Sequence, residues 1–347
     1  MSTLHDLPRH IFALIESGVV AEFATVNAMG VPIDTPTYYF PADDMATIDL
    51  ATGVPNPAKA ERARRNPKVG LLIEGRPEEP VVVIRARAAV RDRDIQSNAI
   101  RYLAETGWKG ISHGITWEKA RLAITYWSRI IIENTPERIY WWDNHAALEG
   151  PPGVWNAAPD TVWPVSDPAH ESPITPGNWK AWPWREVAVA ALATGHAGHL
   201  SVMDTDGFPV PMRTRSLELV DEGFRIIVPR GMPWAFVGPA CVTFAGFRTF
   251  VGEAVPQEGD LVLFRVARAL PQHPSTLDTK QVLQPAEETL AKTRARLEAE
   301  MARLGQVLPV IPIEAPERTR IAKIRMARIA SDSPITGLTV QHGNRTT

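Results

Sequence analysis

One stretch of this chain occurs twice, in the same order, on either side of a Pro-rich middle. Ser17-Gly18-Val19-Val20-Ala21-Glu22-Phe23 is matched by Thr194-Gly195-His196-Ala197-Gly198-His199-Leu200. The turn Asn27-Ala28-Met29-Gly30-Val31-Pro32 is matched by Asp204-Thr205-Asp206-Gly207-Phe208-Pro209, and both matches keep an offset of 177. Further on, Asn66–Leu72 aligns with Gly238–Phe244 at an offset of 172, and Arg85–Val90 with Phe250–Val255. Chance supplies one such turn twice, not an ordered series. The chain therefore holds two diverged copies of one unit, in keeping with about 150 residues per domain over its 347 residues.

Short apolar runs with period-2 alternation, separated by Gly/Pro turns, make the unit mainly β. In the first copy a helix over 3–17 precedes strands at 20–27, 31–40 and 46–51. A basic helix follows over 55–66, with Pro57 in its first turn and Pro67 as its stop. Then come strands at 69–73 and 81–90, helices at 94–106 and 117–126, and closing strands at 130–133 and 138–142. The second copy repeats a helix at 183–193 and a strand–turn–strand over 210–228, but loses residues where the first copy has its basic helix. Residues 284–304 read as an amphipathic helix with Leu290, Leu297, Met301 and Leu304 on one side. A basic helix is expected over 315–328 and a loose tail from 338. These readings divide the chain into a first barrel (1–143), a connector (144–181), a second barrel (182–275) and a C-terminal extension (276–347).

Composition narrows the function classes. With 37 Lys+Arg against 39 Asp+Glu, the formal charge of −2 gives no basic footprint for nucleic acid. A single cysteine, Cys241, excludes an internal disulfide and a multi-cysteine metal centre; its place on an apolar strand reads as a buried spectator thiol. No apolar run reaches the length of a membrane helix, and the N-terminus lacks a signal-peptide pattern, so a cytoplasmic location is expected. Ten of the 11 Trp fall between 108 and 184. Several lie in the connector, which should therefore pack along the barrels.

The ordered series "FATVNAMGVPIDTPTYYF", "TIDLATG" and "KAERARRNPKVGLLIEG", with "RIIIENTPERIYWWD" at 129–143, resembles the pyridoxamine 5'-phosphate oxidase-like, FMN-binding split-barrel superfamily. The resemblance is good over 3–143 and weaker over 183–273. It implies barrels that pair, with FMN at their interface. Two copies in one chain then imply tandem split β-barrels forming an intrachain pseudo-dimer, with a homodimer as a further option. It also implies a flavin-dependent oxidoreductase acting on a small organic substrate, aromatic in one version. Deazaflavin-dependent reduction, haem handling, or a non-catalytic binding or stress protein are the alternatives.

Lys59 stands seven positions before the Asn66-Pro67 pair, the place from which the superfamily's basic residue binds the flavin phosphate. The superfamily's Ser-Arg before that Lys is Pro57-Ala58 here, which removes one donor pair and leaves Arg62, Arg64 or Arg65 to substitute. Thr52 and Asn56, on the loop entering the helix, are candidate phosphate donors or turn residues. Thr35 and Thr37 lie on the strand that in the superfamily runs along the flavin. Arg213 and Arg215 occupy the equivalent strand of the second copy and alternate to one face. Trp141, Trp142 and Trp234 are candidates to cover a ring, with core packing the simpler reading. His196-x-x-His199 has spacing open to a metal or haem, though a strand would point the two rings apart. No catalytic residue and no metal site is assigned.

Overall fold

A computed structural model describes residues 4–106, 116–175, 182–244, 248–270 and 287–330. Its first half contains α1 (Arg9–Ser17), β1 (Val20–Val26), β2 (Pro32–Pro41), β3 (Ile48–Gly53), α2 (Ala58–Arg65), β4 (Lys68–Glu74), β5 (Val81–Arg91), α3 (Ile95–Thr106), α4 (Trp117–Ala120), α5 (Ile124–Trp127) and β6 (Arg129–Trp142). The strands follow the order β3-β2-β1-β4-β5-β6, and β6 pairs back onto β3, closing a six-stranded barrel. A short β7 (Gly153–Asn156) adds to the outside of β6.

After α6 (Trp184–Leu192) the second half lays down β8 (Gly198–Met203), β9 (Pro209–Arg213), β10 (Ser216–Val220), β11 (Gly223–Ile227), β12 (Gly238–Phe244), β13 (Arg248–Pro256) and β14 (Leu261–Ala269). Their order, β10-β11-β14-β13-β12-β8-β9, is the first barrel's circle opened at one point. In the first barrel β2 pairs with β1 over its first part and with β3 over its last. In the second the same strand is interrupted at Thr214 and Arg215, between β9 on β8 and β10 on β11. The fold is mainly β, with two barrels of one topology in tandem.

The two barrels clasp each other. Leu72, Val81, Val83, Tyr140 and Trp142 on the outer face of the first barrel share one apolar cluster with Leu200, Val210, Phe224, Trp234 and Phe264 of the second. Trp234 meets Tyr140 edge-on at 5.1 Å and Trp142 at 6.4 Å, while Trp142 Nε1 donates to the Gly150 carbonyl at 2.9 Å. These rings are seam core. Gly70 of β4 touches β9: a Cβ there would run into the Pro209 carbonyl oxygen and stand 2.7 Å from Pro211 Cδ. We expect Gly70→Ala to cost about 1–3 kcal/mol, read as a fall in Tm. An unchanged melt would mean the barrels are not in close contact there.

Pairing register corrects one repeat offset. With Phe23 equivalent to Leu200, their partners on the next strand are Leu71 and Val242, 171 apart rather than 172. A one-residue slip exchanges the faces of a strand. Leu71 and Val242 both face their own cores, and Cys241 takes the place of Gly70, turned to the seam against Ile33. Its thiol is fully buried, and that burial drives its pKa up.

Other boundaries move for local reasons. The N-terminal helix breaks at Pro8, leaving a 3-10 turn at Leu4–Asp6 before α1; Pro has no N–H and disfavours helical geometry in the residue before it. Pro57 caps α2 from outside its first turn. The two closing strands are one 14-residue strand, β6, which absorbs Pro136 at a register shift opposite Arg85/Ala86. The connector carries β7 and then runs along the first barrel. There the Asp167 carboxylate accepts from the backbone of Asp92 and Arg93, and Ser166 accepts from Val90 N–H. At the C-terminus α7 (Glu287–Arg303) buries Leu297 and Met301 against the first barrel, Leu304 follows just beyond its end, and Leu290 stays 39% exposed. α8 (Arg320–Ala330) packs beside α1. Residues 284–286 and the expected tail from 338 lie outside the described residues. Among the described residues no helix is long and apolar enough to cross a membrane.

Candidate functional site

Three cations converge where β3 runs into α2. Lys59, in the first turn of α2, places Nζ 5.8 Å from the centroid of the Phe23 ring. One turn later Arg62 donates from Nε to Thr25 Oγ1 at 2.8 Å. Arg129 opens β6 opposite Gly53, and a Cβ on Gly53 would stand 3.6 Å from its Nη1. Its guanidinium lies 4.0 Å from the Tyr126 ring centroid and 4.6 Å from that of Tyr102, within cation–π range. Arg129 Nε is buried with no hydrogen-bond partner.

None of these three makes a salt bridge among the described residues, whereas Arg64, Arg85, Arg91, Arg101 and Arg303 each hold a carboxylate. The electrostatic result is strain between like charges. Burial first, then Arg62 and Arg129, hold the Lys59 ammonium down at about 7, and the pull of Asp34 and Glu22 only partly offsets them. Burial and the neighbouring Arg65 bring Arg62 down to about 10. A cluster of half-buried cations without salt-bridge partners is stabilised by an anion, and perturbed groups of this kind mark functional sites.

The expected site residues separate into three groups. Lys59 and Thr35 share Phe23 as a neighbour: Nζ of Lys59 lies over its ring, Thr35 pairs with it across β1–β2, and the buried Thr35 Oγ1 has no hydrogen-bond partner. Thr37 continues the same face opposite Ala21. Thr52 and Asn56 shape the entry loop instead. The Thr52 hydroxyl donates to the Asn56 carbonyl at 2.9 Å, and Asn56 N–H donates to the Gly53 carbonyl at 2.8 Å. Arg213 and Arg215 do not share a face, because β9 ends at Arg213 and the strand breaks. Arg215 pairs at 3.2 Å with both Glu149 and Asp260 on the second barrel's exposed side. Arg213 turns to the seam and holds Glu74 of the first barrel at 2.8 Å.

That seam is polar at its centre. His199 donates or accepts through both ring nitrogens, Nδ1 to Glu22 at 3.1 Å and Nε2 to Glu74 at 3.0 Å. Burial alone would lower the His199 pKa, but Glu74 and Glu22 raise it to about 10. Burial would raise Glu74, yet His199, Arg213 and His145 bring it down to about 2. Both nitrogens of His199 are thus engaged, which leaves no lone pair for haem iron. Among the described residues no His/Cys/Asp/Glu group is arranged to hold a metal. Beside it Asp34, fully buried, accepts from Ser201 Oγ of the second barrel at 3.0 Å. Burial and then Glu22 raise its pKa well above the carboxylate range.

Sequence reasoning missed Arg129 and the His199 network. Arg129 lies 70 residues from Lys59 at the edge of an apolar strand, with no local signal; only the β3–β6 closure brings it in. The Glu22–His199 contact had a readable clue, since the two residues are repeat equivalents, 177 apart.

No family model matches the chain, and no curated protein matches it. Solved structures do. A conserved hypothetical protein of Mycobacterium tuberculosis is 21% identical, the match covering 42% of this chain and 89% of that one at a TM-score of 0.34. A pyridoxamine 5'-phosphate oxidase-related, FMN-binding protein of Nostoc punctiforme is 11% identical over 47% of this chain and 97% of its own, TM-score 0.33. An FAD-binding protein of Mesorhizobium loti is 18% identical over 37% and 88%, TM-score 0.27.

Proposed function

We propose that this chain binds a flavin, FMN in the first instance, with its phosphate on Lys59, Arg62 and Arg129, and acts as a flavin-dependent oxidoreductase on a small organic substrate. The observation that carries the reading is the convergence of those three cations with no carboxylate in salt-bridge contact among the described residues. A phosphate dianion supplies the missing charge and an acceptor for Arg129 Nε, a buried donor with no partner. FMN and FAD, which two of the neighbours above are named for binding, are the ligands to test first.

When bound, the flavin supplies the two-electron chemistry. The chain's residues do the rest. Lys59, Arg62 and Arg129 hold the phosphate, Thr35 offers a free buried hydroxyl on the same face, and the Tyr102 and Tyr126 rings fix the Arg129 plane. Among the described residues the second barrel carries no equivalent. Its counterparts of Thr25 and Thr35 are Val202 and Met212, and its loop in place of α2 offers only Arg230, paired with Asp260 at 3.3 Å. One flavin per chain follows.

Titration of the purified chain with FMN tests this by quenching of flavin fluorescence, and saturation at one equivalent is expected. Lys59 adds a pH signature. The free site's ammonium titrates at about 7, and a bound dianion raises that value. The Kd for FMN is therefore expected to rise up to about tenfold per pH unit above 7, while riboflavin, which has no phosphate, shows no such slope. FMN binding that ignores pH between 7 and 9 would remove Lys59 from the phosphate site.

A further inference from the structure

We infer that Lys59 is a site of covalent acylation by small acyl phosphates, a modification that would switch the anion site off. The inference rests on the reading of this cluster as an anion site, and goes beyond it by giving Lys59 chemistry of its own.

What surrounds an amine sets its reactivity. Lys68 bonds the Asp206 carbonyl, Lys292 pairs with Glu288 and Lys323 with Glu317. Lys59 has no such partner among the described residues; its Nζ stands 5.8 Å from the Phe23 ring centroid, and Arg62 of its own helix and Arg129 of β6 both act on it as like charges. The opposing charges that reach it are Asp34 of β2 and Glu22 of β1. Asp34 and Glu22 offset only part of the pressure that burial and the two guanidiniums put on the charged form. A lysine in this setting spends much of its time as the neutral amine near neutral pH, the nucleophilic form. The two guanidiniums beside it attract an anionic electrophile and hold its phosphate; the bound charge favours the ammonium, so attack comes from the neutral fraction that remains at pH 8.

The step balances without an external oxidant or reductant. The neutral Lys59 amine forms a C–N bond at the acyl carbon of the acyl phosphate. The C–O bond to phosphate breaks, phosphate leaves with the electron pair, and the proton lost by the amine passes to the departing phosphate or to solvent. The product is a neutral amide, so the cluster loses one of its three charges and its affinity for a second anion falls.

The full-length chain, free of added flavin, is incubated with acetyl phosphate at about pH 8 and digested, and acetylation is quantified by mass spectrometry. Lys59 is expected to react about tenfold faster than Lys119, Lys292 and Lys323, the gain a focusing cationic pocket gives. Inorganic phosphate is expected to slow Lys59 alone, and Arg129→Gln to reduce its lead. Labelling of Lys59 at the rate of the other lysines, or labelling indifferent to phosphate, overturns the proposal. Repeating the reaction with FMN separates the two readings. Protection of Lys59 supports both, whereas a fast Lys59 that FMN neither binds near nor protects keeps the reactive lysine and removes the flavin.

Discussion

Lys59→Met is expected to make the chain more stable below pH 7 and to abolish its affinity for FMN. The folded-state value of about 7 lies below the ordinary 10.5, so folding at neutral pH carries the cost of keeping a charge in a poorly solvated, cationic place. Methionine removes that cost and keeps the contact with Phe23. Because the side chain is only partly covered, we expect a gain of about 2–4 kcal/mol at pH 6. The unfolded chain binds the extra proton between pH 7 and 10.5, so the wild-type penalty shrinks across that window and the two melts converge near pH 10. Equal melting temperatures at pH 6 would mean a solvated helix face and no site.

His199→Leu works the other way. It leaves Glu22 and Glu74 buried together without the imidazole they share, and is expected to cost about 3–5 kcal/mol at pH 6. The His199 value of about 10 lies above the ordinary 6.5, so its contribution is complete below pH 6.5 and drains away as pH climbs to 10. Glu74, held at about 2, contributes fully above pH 4.5 and loses that contribution as pH falls towards 2. The loss in the Leu variant should therefore peak between about pH 4.5 and 6.5. Lys59 and His199 tilt stability in opposite directions between pH 7 and 10, and each variant uncovers the slope of the other. A His199→Leu deficit that does not narrow by pH 10 would show that the imidazole is not charged in the folded chain.

Much of this architecture could be read from residues. Gly30 and Gly207 mark the same turn in each copy at positive φ, 77° and 80°, so a repeat at constant spacing was visible. Lys59 was legible because its spacing to Asn66-Pro67 is local. The remainder was not local. Offsets of 171 and 172 differ only in which face of β12 is buried, and an apolar run with one Cys and one Thr does not decide that. The alternation from Arg213 to Arg215 assumed an unbroken strand, and the break depends on how the second circle opens. Arg129 joins Lys59 only through ring closure, and a buried ion pair between Glu22 and His199 cannot be read from either strand alone.

Repeat-equivalent residues that touch each other stand on the axis relating the two halves. In a symmetric pair of identical subunits such a position meets its own kind. Here it is carboxylate against imidazole, which works only because the halves differ. Two first halves brought together would set Glu22 against Glu22, with Asp34 and Glu74 nearby, and two second halves would set His199 against His199. Neither half offers a complement to its own axis residue, and each needs the other to neutralise it.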